Sequence, residues 1–136
     1  MVRVINKTRR KLPMKKIKKA IRKVLENELK DAKINVVFVG ERRIRALNKN
    51  YRSIDAPTDV LTFVYKDEDL YAEIYVCPAV VEKNATKYKE PFQRELLRVL
   101  IHACLHVAGY DHELKDIKSK EMFEKQERYL REVDFE

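Results

Sequence analysis

The stretch INVVFV, at residues 34–39, decides the fold of this chain. Five of its six residues are apolar, and four of those are β-branched, which favours an extended strand. A strand that is apolar on both faces is covered on both sides by other elements. We therefore predict that this strand lies in the middle of a sheet and that Gly40 ends it.

Further strands and helices are predicted on both sides of this stretch. The predicted strands are residues 2–5, 34–39, 60–65 and 71–76, and the predicted helices are residues 13–29, 41–51, 78–88, 91–109 and 115–132. The segment that begins at Arg52 and runs to Thr58 is predicted to be a loop. Together these elements predict an α+β fold, with about a four-stranded mixed sheet and about five helices in a single domain over residues 1–136.

Composition excludes several classes of protein. The chain has 136 residues, of which 45% are apolar, so it can bury a core without disulfides. No apolar run approaches the ~20 residues of a membrane span, and no signal peptide is recognisable. Cys77 and Cys104 are the two cysteines, and we interpret both as small core residues. These features predict a cytoplasmic protein that does not act at a membrane.

The positive charge of the chain is concentrated at its amino-terminal end. The net charge is +8, from 30 basic and 22 acidic side chains. Residues 1–23 contain eleven basic side chains and no acidic one, which leaves 19 basic and 22 acidic side chains in the remainder. The basic residues fall between the apolar positions of the first helix, so they form its outer face. This pattern indicates a polyanionic partner such as nucleic acid, although a solvated helix face accounts for it equally well.

Three histidines stand close together with the spacing H-x3-H-x5-H. They are His102, His106 and His112. On a helix, His102 and His106 lie one turn apart on one face, and Gly109 can end the helix so that the chain doubles back toward His112. Three imidazoles favour Zn²⁺, one ion per chain, at the end of this helix. With no fourth protein ligand evident, one coordination position stays open, which is typical of catalytic zinc sites.

The same spacing occurs in the metzincin proteases, whose motif is H-E-x-x-H-x-x-G-x-x-H. In that motif, the glutamate after the first histidine takes a proton from the attacking water. Here Ala103 stands at this position. Because peptide hydrolysis needs a group that moves this proton, the sequence argues against a protease while it retains the metal site.

Two long stretches carry a family resemblance: HACLHVAGYDH, residues 102–112, and LNKNYRSIDAPTDVLTF, residues 47–63. The first resembles H-G-x-L-H-L-x-G-Y-D-H and the second resembles L-N-x-x-Y-R-x-x-D-x-P-T-D-V-L-S-F-P, which are both motifs of the YbeY family. A weaker match is AEIYV, residues 72–76, where the family has G-D-I-x-I. Together the matches cover about residues 34–131. The departures are Ala103 for glycine, Thr62 for serine, Val64 for proline and Ala72-Glu73 for Gly-Asp.

The resemblance implies a bacterial rRNA maturation factor, a metal-dependent endoribonuclease that processes ribosomal RNA (16S rRNA maturation) and serves ribosome quality control. Its expected partners are single-stranded RNA, rRNA and the ribosome or its proteins. The family match implies that Arg52 is a catalytic residue, since a guanidinium can bind two oxygens of a phosphate. Asp111 either orients His112 or accepts a proton, and a structural role at the helix end is equally open.

Two other functions stay open at this point. One is hydrolysis of a substrate other than RNA on the same metal site. The other is a ribosome-associated factor without catalytic activity, in which the metal only stabilises the fold.

Overall fold

The computed structural model of this protein describes residues 1–110 and 117–134, with side chains of the last helix described at residues 120–133. Four strands and five helices occur in these residues, as the sequence predicts. In chain order they are β1 (Val2–Asn6), α1 (Met14–Glu28), β2 (Ile34–Phe38), α2 (Glu41–Arg52), β3 (Val60–Val64), β4 (Ala72–Val76), α3 (Pro78–Lys87), α4 (Phe92–Val107) and α5 (Ile117–Asp134).

The strands form one mixed sheet in the order β1-β2-β4-β3. Strands β1, β2 and β4 are parallel to one another, and β3 is antiparallel to β4. In the register of the sheet, Val36 lies between Val4 of β1 and Ile74 of β4. The apolar stretch at 34–39 thus forms an inner strand, which confirms the prediction made from its two apolar faces.

Alternate residues of β2 face two different cores. Ile34, Val36 and Phe38 are buried in the larger core, which also contains apolar side chains of α1, α4 and α5. Val37 faces the smaller core, where it packs with side chains of α2, among them Ile44. The period of two along the strand therefore sets α1, α4 and α5 against one face of the sheet and α2 against the other. Helix α3 contributes Val81 to the larger core.

Helix α2 extends one residue further than predicted. Arg52, which the sequence reading assigned to a loop, is the final residue of this helix. Ser53 takes the left-handed conformation, with φ of 59°, and its N–H donates to the carbonyl groups of Asn48 and Lys49. The chain therefore turns at Ser53 and not before it, so the position of Arg52 is fixed by a helix.

Among residues 1–110 and 117–134, no helix combines the length and the apolar character that crossing a membrane requires.

Candidate active site

One polar stripe runs along the central helix α4. From Leu96 to Val107 every residue of this helix is buried except Arg98, His102 and His106, which follow one another at intervals of four. Residues four apart on a helix lie on nearly the same side. The two histidines are therefore half-buried neighbours, one turn apart, as their spacing predicts.

The opposite side of α4 is packed in the core. Cys104 is fully buried, and this burial raises the pKa of its thiol from 9.0 to about 12. Cys77 is also fully buried, and both cysteines are free thiols. The interpretation of the two cysteines as small core residues is confirmed.

A cavity of about 620 Å³ brings α4 and the end of α2 together. His102, His106 and Arg52 all line it, although Arg52 is 50 residues from His102 in the chain. Three of the five residues that the sequence singles out thus share one cavity. The other residues of the wall are Tyr51, Thr58, Asp59, Val60, Leu61, Thr62, Phe63 and Ala103.

Arg52 is exposed, and the segment that follows it is bonded back to its helix. One turn before it, the buried side chain of Asn48 donates from Nδ2 to the carbonyl oxygen of Ala56 at 2.9 Å. Arg45 donates from Nε to Asp55 Oδ1 at 2.8 Å. These two bonds fasten the segment after α2 back onto the helix, so the arginine enters the cavity from a fixed helix end.

The end of α4 is a Schellman motif. Gly109 has a φ of +109°, its N–H donates to the carbonyl group of His106, and the N–H of Tyr110 donates to that of Leu105. Glycine adopts this backbone conformation without a Cβ penalty. Gly109 terminates the helix as predicted, although the last helical residue is Val107, and the chain turns three residues after the second histidine.

Asp111 and His112 lie outside the described residues, so a third histidine ligand and the role of Asp111 stay predictions. Within residues 1–110 and 117–134, no group of three or more histidine, cysteine, aspartate or glutamate side chains is arranged to hold a metal ion. His102 and His106 nevertheless fit a metal ion as two of its ligands. Two imidazoles a turn apart on the wall of an open cavity are donors that suit Zn²⁺.

A buried ionic cluster anchors the segment that follows α4. The carboxylate of Glu28, at the end of α1, accepts hydrogen bonds from Lys125 Nζ at 2.6 Å, from Tyr110 OH at 3.3 Å and from Tyr129 OH at 3.3 Å. The bond to Glu28 raises the pKa of Lys125 above its ordinary value. We call these four residues the Glu28 cluster, and it joins α1, the end of α4 and α5.

Two features of the site were missed by sequence reasoning. Gln126 of α5 is buried and contacts His102, with Nδ1 of the ring 2.6 Å from Oε1 of the carboxamide. Tyr51 lies at the cavity with 67% of its surface exposed, and its ring meets that of Phe63 edge to face at 5.0 Å. A glutamine among the apolar positions of α5 was the available signal for the first, and a tyrosine next to Arg52 for the second.

The exposed basic residues of α1 are not among those that line this cavity. Lys15, Lys19 and Arg22 are exposed on α1, which packs against β1. The cavity borders β3, and β1 and β3 are the two opposite edges of the sheet. The exposed basic residues of α1 and the lining of the cavity are therefore two separate groups of side chains.

Fold and site together define an α+β protein in which paired helical histidines and an arginine face one cavity. A family model described as "Endoribonuclease YbeY" matches residues 3–134. A protein of Thermotoga petrophila named "Endoribonuclease YbeY" is 47% identical over 98% of this chain and 89% of its own length. One of the same name from Chlorobium luteolum is 37% identical over 97% of both chains.

A solved structure agrees with these matches. The solution structure of TM1509 from Thermotoga maritima has 46% sequence identity and a TM-score of 0.73, and the alignment covers 98% of this chain and 89% of that one. The chain belongs to the YbeY family of endoribonucleases. The resemblance carried by the two long motifs is thereby confirmed.

Proposed function

We propose that this protein is a zinc-dependent endoribonuclease that cuts single-stranded RNA. We further propose that it acts in the cytoplasm, on the ribosome, in the maturation of ribosomal RNA including 16S rRNA and in ribosome quality control. The observation that carries the proposal is the cavity that His102, His106 and Arg52 share. The names of its relatives support RNA as the substrate.

Arg52 brings to the cavity a group that can stabilise the charge of phosphodiester cleavage. Cleavage builds negative charge on the non-bridging phosphate oxygens, and the guanidinium of Arg52 can donate two parallel hydrogen bonds to them. Zn²⁺ held by His102, His106 and His112 would supply Lewis-acid chemistry, which stabilises the same charge and activates water. Asp111 is proposed to orient His112 or to accept a proton.

The exposed ring of Tyr51 supports a preference for single strands. It stands beside Arg52 at the cavity, and Phe63 backs it edge to face. An unpaired base can stack on such a ring, whereas a base inside a duplex is already stacked on its neighbours. We propose that Tyr51 holds a base next to the phosphate that Arg52 binds.

The test is cleavage of an end-labelled single-stranded RNA, with a duplex of the same sequence as a comparison. Protein loaded with zinc, stripped with a chelator and reloaded is measured beside Arg52→Ala and His106→Ala. Arg42→Ala is the matched control, because Arg42 is exposed in the first turn of α2, about 15 Å along the helix from Arg52.

We expect activity that disappears on chelation, returns with zinc, and is lost in Arg52→Ala and His106→Ala but kept in Arg42→Ala. Equal cleavage by all samples would reveal a contaminating nuclease and contradict the proposal, as would no cleavage by any. The product ends identify the nucleophile: a 2′-hydroxyl leaves a 2′,3′-cyclic phosphate, and water leaves a linear phosphate.

The same chelated protein separates catalysis from a purely structural metal. If the metal serves the reaction, the stripped protein stays folded and loses activity. If removal of the metal unfolds the protein, the result favours a non-catalytic ribosome-associated factor in which the metal stabilises the fold.

A further inference from the structure

Gln126 is a buried polar side chain on a helix face that is otherwise apolar. It is 8% exposed, and the residues one turn before and after it on the same side of α5, Met122, Tyr129 and Leu130, are buried as well. A buried carboxamide without partners costs free energy. Both ends of this carboxamide are bonded, one to His102 and the other to Glu127.

The partners of Gln126 fix which way its carboxamide points. Nε2 lies 3.2 Å from Glu127 Oε2, and a carboxylate only accepts hydrogen bonds, so this contact requires the amino group. The carbonyl oxygen Oε1 therefore faces Nδ1 of His102 at 2.6 Å. Because a carbonyl oxygen also only accepts, Nδ1 must carry the proton.

This bond decides which nitrogen of His102 can bind a metal. When Nδ1 of the neutral ring carries the proton, the lone pair that can bind a metal is on Nε2. Nε2 is on the far side of the ring from Gln126, and the ring lines the cavity. The imidazole is thus held in the form that a metal ligand needs, before any metal binds.

A chain of ion pairs holds the carboxamide in this orientation. Glu127 pairs with Arg98 Nε at 3.5 Å, and Arg98 donates to Glu95 Oε2 at 2.8 Å. Arg98 lies one turn before His102 on the polar stripe of α4. The network therefore leaves α4, crosses to α5 and returns to α4 at the histidine, so the orientation of Gln126 depends on the packing of the two helices.

We propose that Gln126 is a positioning residue that holds His102 as the Nδ1–H tautomer, so that Nε2 is available to bind Zn²⁺. This inference rests on the metal site proposed above. The role of Gln126 is to prepare His102 as a ligand. Without an acceptor at Nδ1, the imidazole ring can turn or change tautomer, and zinc binding then has to reverse that change.

The variants are chosen to separate positioning from packing. Gln126→Leu removes the acceptor and puts an apolar side chain of similar size in its place. The double variant Gln126→Glu with Glu127→Gln exchanges the two side chains, so that an acceptor still faces His102 and the net charge is unchanged. Met122→Leu is the matched packing control on the same face of α5, and His102→Ala removes the ligand itself.

Two measurements are made, and neither depends on RNA cleavage. The ¹⁵N chemical shifts of the imidazole nitrogens in metal-free protein report the tautomer of His102, with His102→Ala identifying its signals. Competition with a chromogenic chelator gives the zinc affinity, after circular dichroism has shown that each variant is folded.

We expect the Nδ1–H tautomer in the unsubstituted protein and its loss in Gln126→Leu, with zinc affinity lower by about ten- to a hundredfold. The exchanged pair should bind zinc at least as tightly as the unsubstituted protein, because a charged acceptor makes the stronger bond. Met122→Leu should change neither measurement.

Two results would overturn the inference, and they are distinguishable. If Gln126→Leu keeps the tautomer and the zinc affinity while His102→Ala weakens zinc binding, the metal site stands and Gln126 does not position it. If His102→Ala leaves zinc affinity unchanged, the proposed metal site itself is wrong, and the inference fails with it.

Discussion

Replacing Glu28 tests how the carboxyl-terminal helix is joined to the rest of the molecule. The Glu28 side chain is 6% exposed and Lys125 is 25% exposed, so their 2.6 Å bond is largely shielded from water. Tyr110 and Tyr129 donate to the same carboxylate. Glu28→Gln keeps the shape of the side chain and removes its charge.

The size of the effect follows from these bonds. The bond between charged groups contributes about 2 kcal/mol, and the two hydroxyl bonds at 3.3 Å are long and contribute about 0.5 kcal/mol each. The variant loses only one of these hydroxyl bonds, because the carbonyl oxygen of glutamine still accepts. The substitution also leaves Lys125 largely buried without its counter-charge. We expect Glu28→Gln to lower the free energy of unfolding by about 3 kcal/mol, and Tm by about 10 °C.

The assay is urea unfolding at pH 7, completed as a double-mutant cycle with Lys125→Met. Glu41→Gln is the comparison, because Glu41 and Lys83 form a pair of nearly equal length, 2.7 Å, on the surface. Exposed pairs contribute little, so this variant should lose much less stability. If Glu28→Gln costs no more than Glu41→Gln, or the cycle gives no coupling, the argument from burial is refuted.

Further predictions concern the helix end, the buried thiol, the substrate and the basic face. Gly109→Ala should destabilise the protein by about 1–2 kcal/mol in urea unfolding, because φ is +109° there; an unchanged midpoint would contradict the strain argument. The raised pKa of Cys104 means that the fold favours the protonated thiol, so the contribution of this thiol to stability is complete below pH 9 and is lost as the pH rises toward 12. The stability of Cys104→Ala should therefore fall less steeply with alkaline pH than that of the unsubstituted protein, and parallel curves would contradict this. Tyr51→Ala should raise KM for single-stranded RNA about tenfold with kcat little changed, and an unchanged KM would exclude stacking. Lys15→Gln with Arg22→Gln should reduce the salt dependence of RNA affinity by about 1.4 in log–log slope, and an unchanged slope would remove α1 from the RNA-binding surface.

Much of the fold could be predicted because its signals are local. The strand at 34–39 is apolar on both faces, and the i, i+4 spacing of His102 and His106 fixes their common side whatever packs around them. The end of α2 was wrong by one residue, since Ser53 adopts a left-handed conformation that glycine or asparagine would have signalled more clearly.

The remainder of the site depends on contacts between distant parts of the chain. Gln126 meets His102 across 24 residues, and Glu28 meets Lys125 across 97. The periodicity of one helix does not specify its partner on another helix, because the pairing is set by how α1, α4 and α5 pack together. Sequence reasoning therefore finds the residues that a motif marks and misses those that support them.

The order of the elements along the chain has a consequence for synthesis. The four strands found in the described residues end by residue 76, and the basic face of α1 is made earlier still, whereas His102 and His106 lie in α4 and Gln126 in α5. A growing chain thus acquires its sheet and its positive charge well before its candidate cutting groups. With the proposed ribonuclease activity, a nascent chain still attached to its own messenger RNA is unable to cleave that message until α4 and α5 have been made.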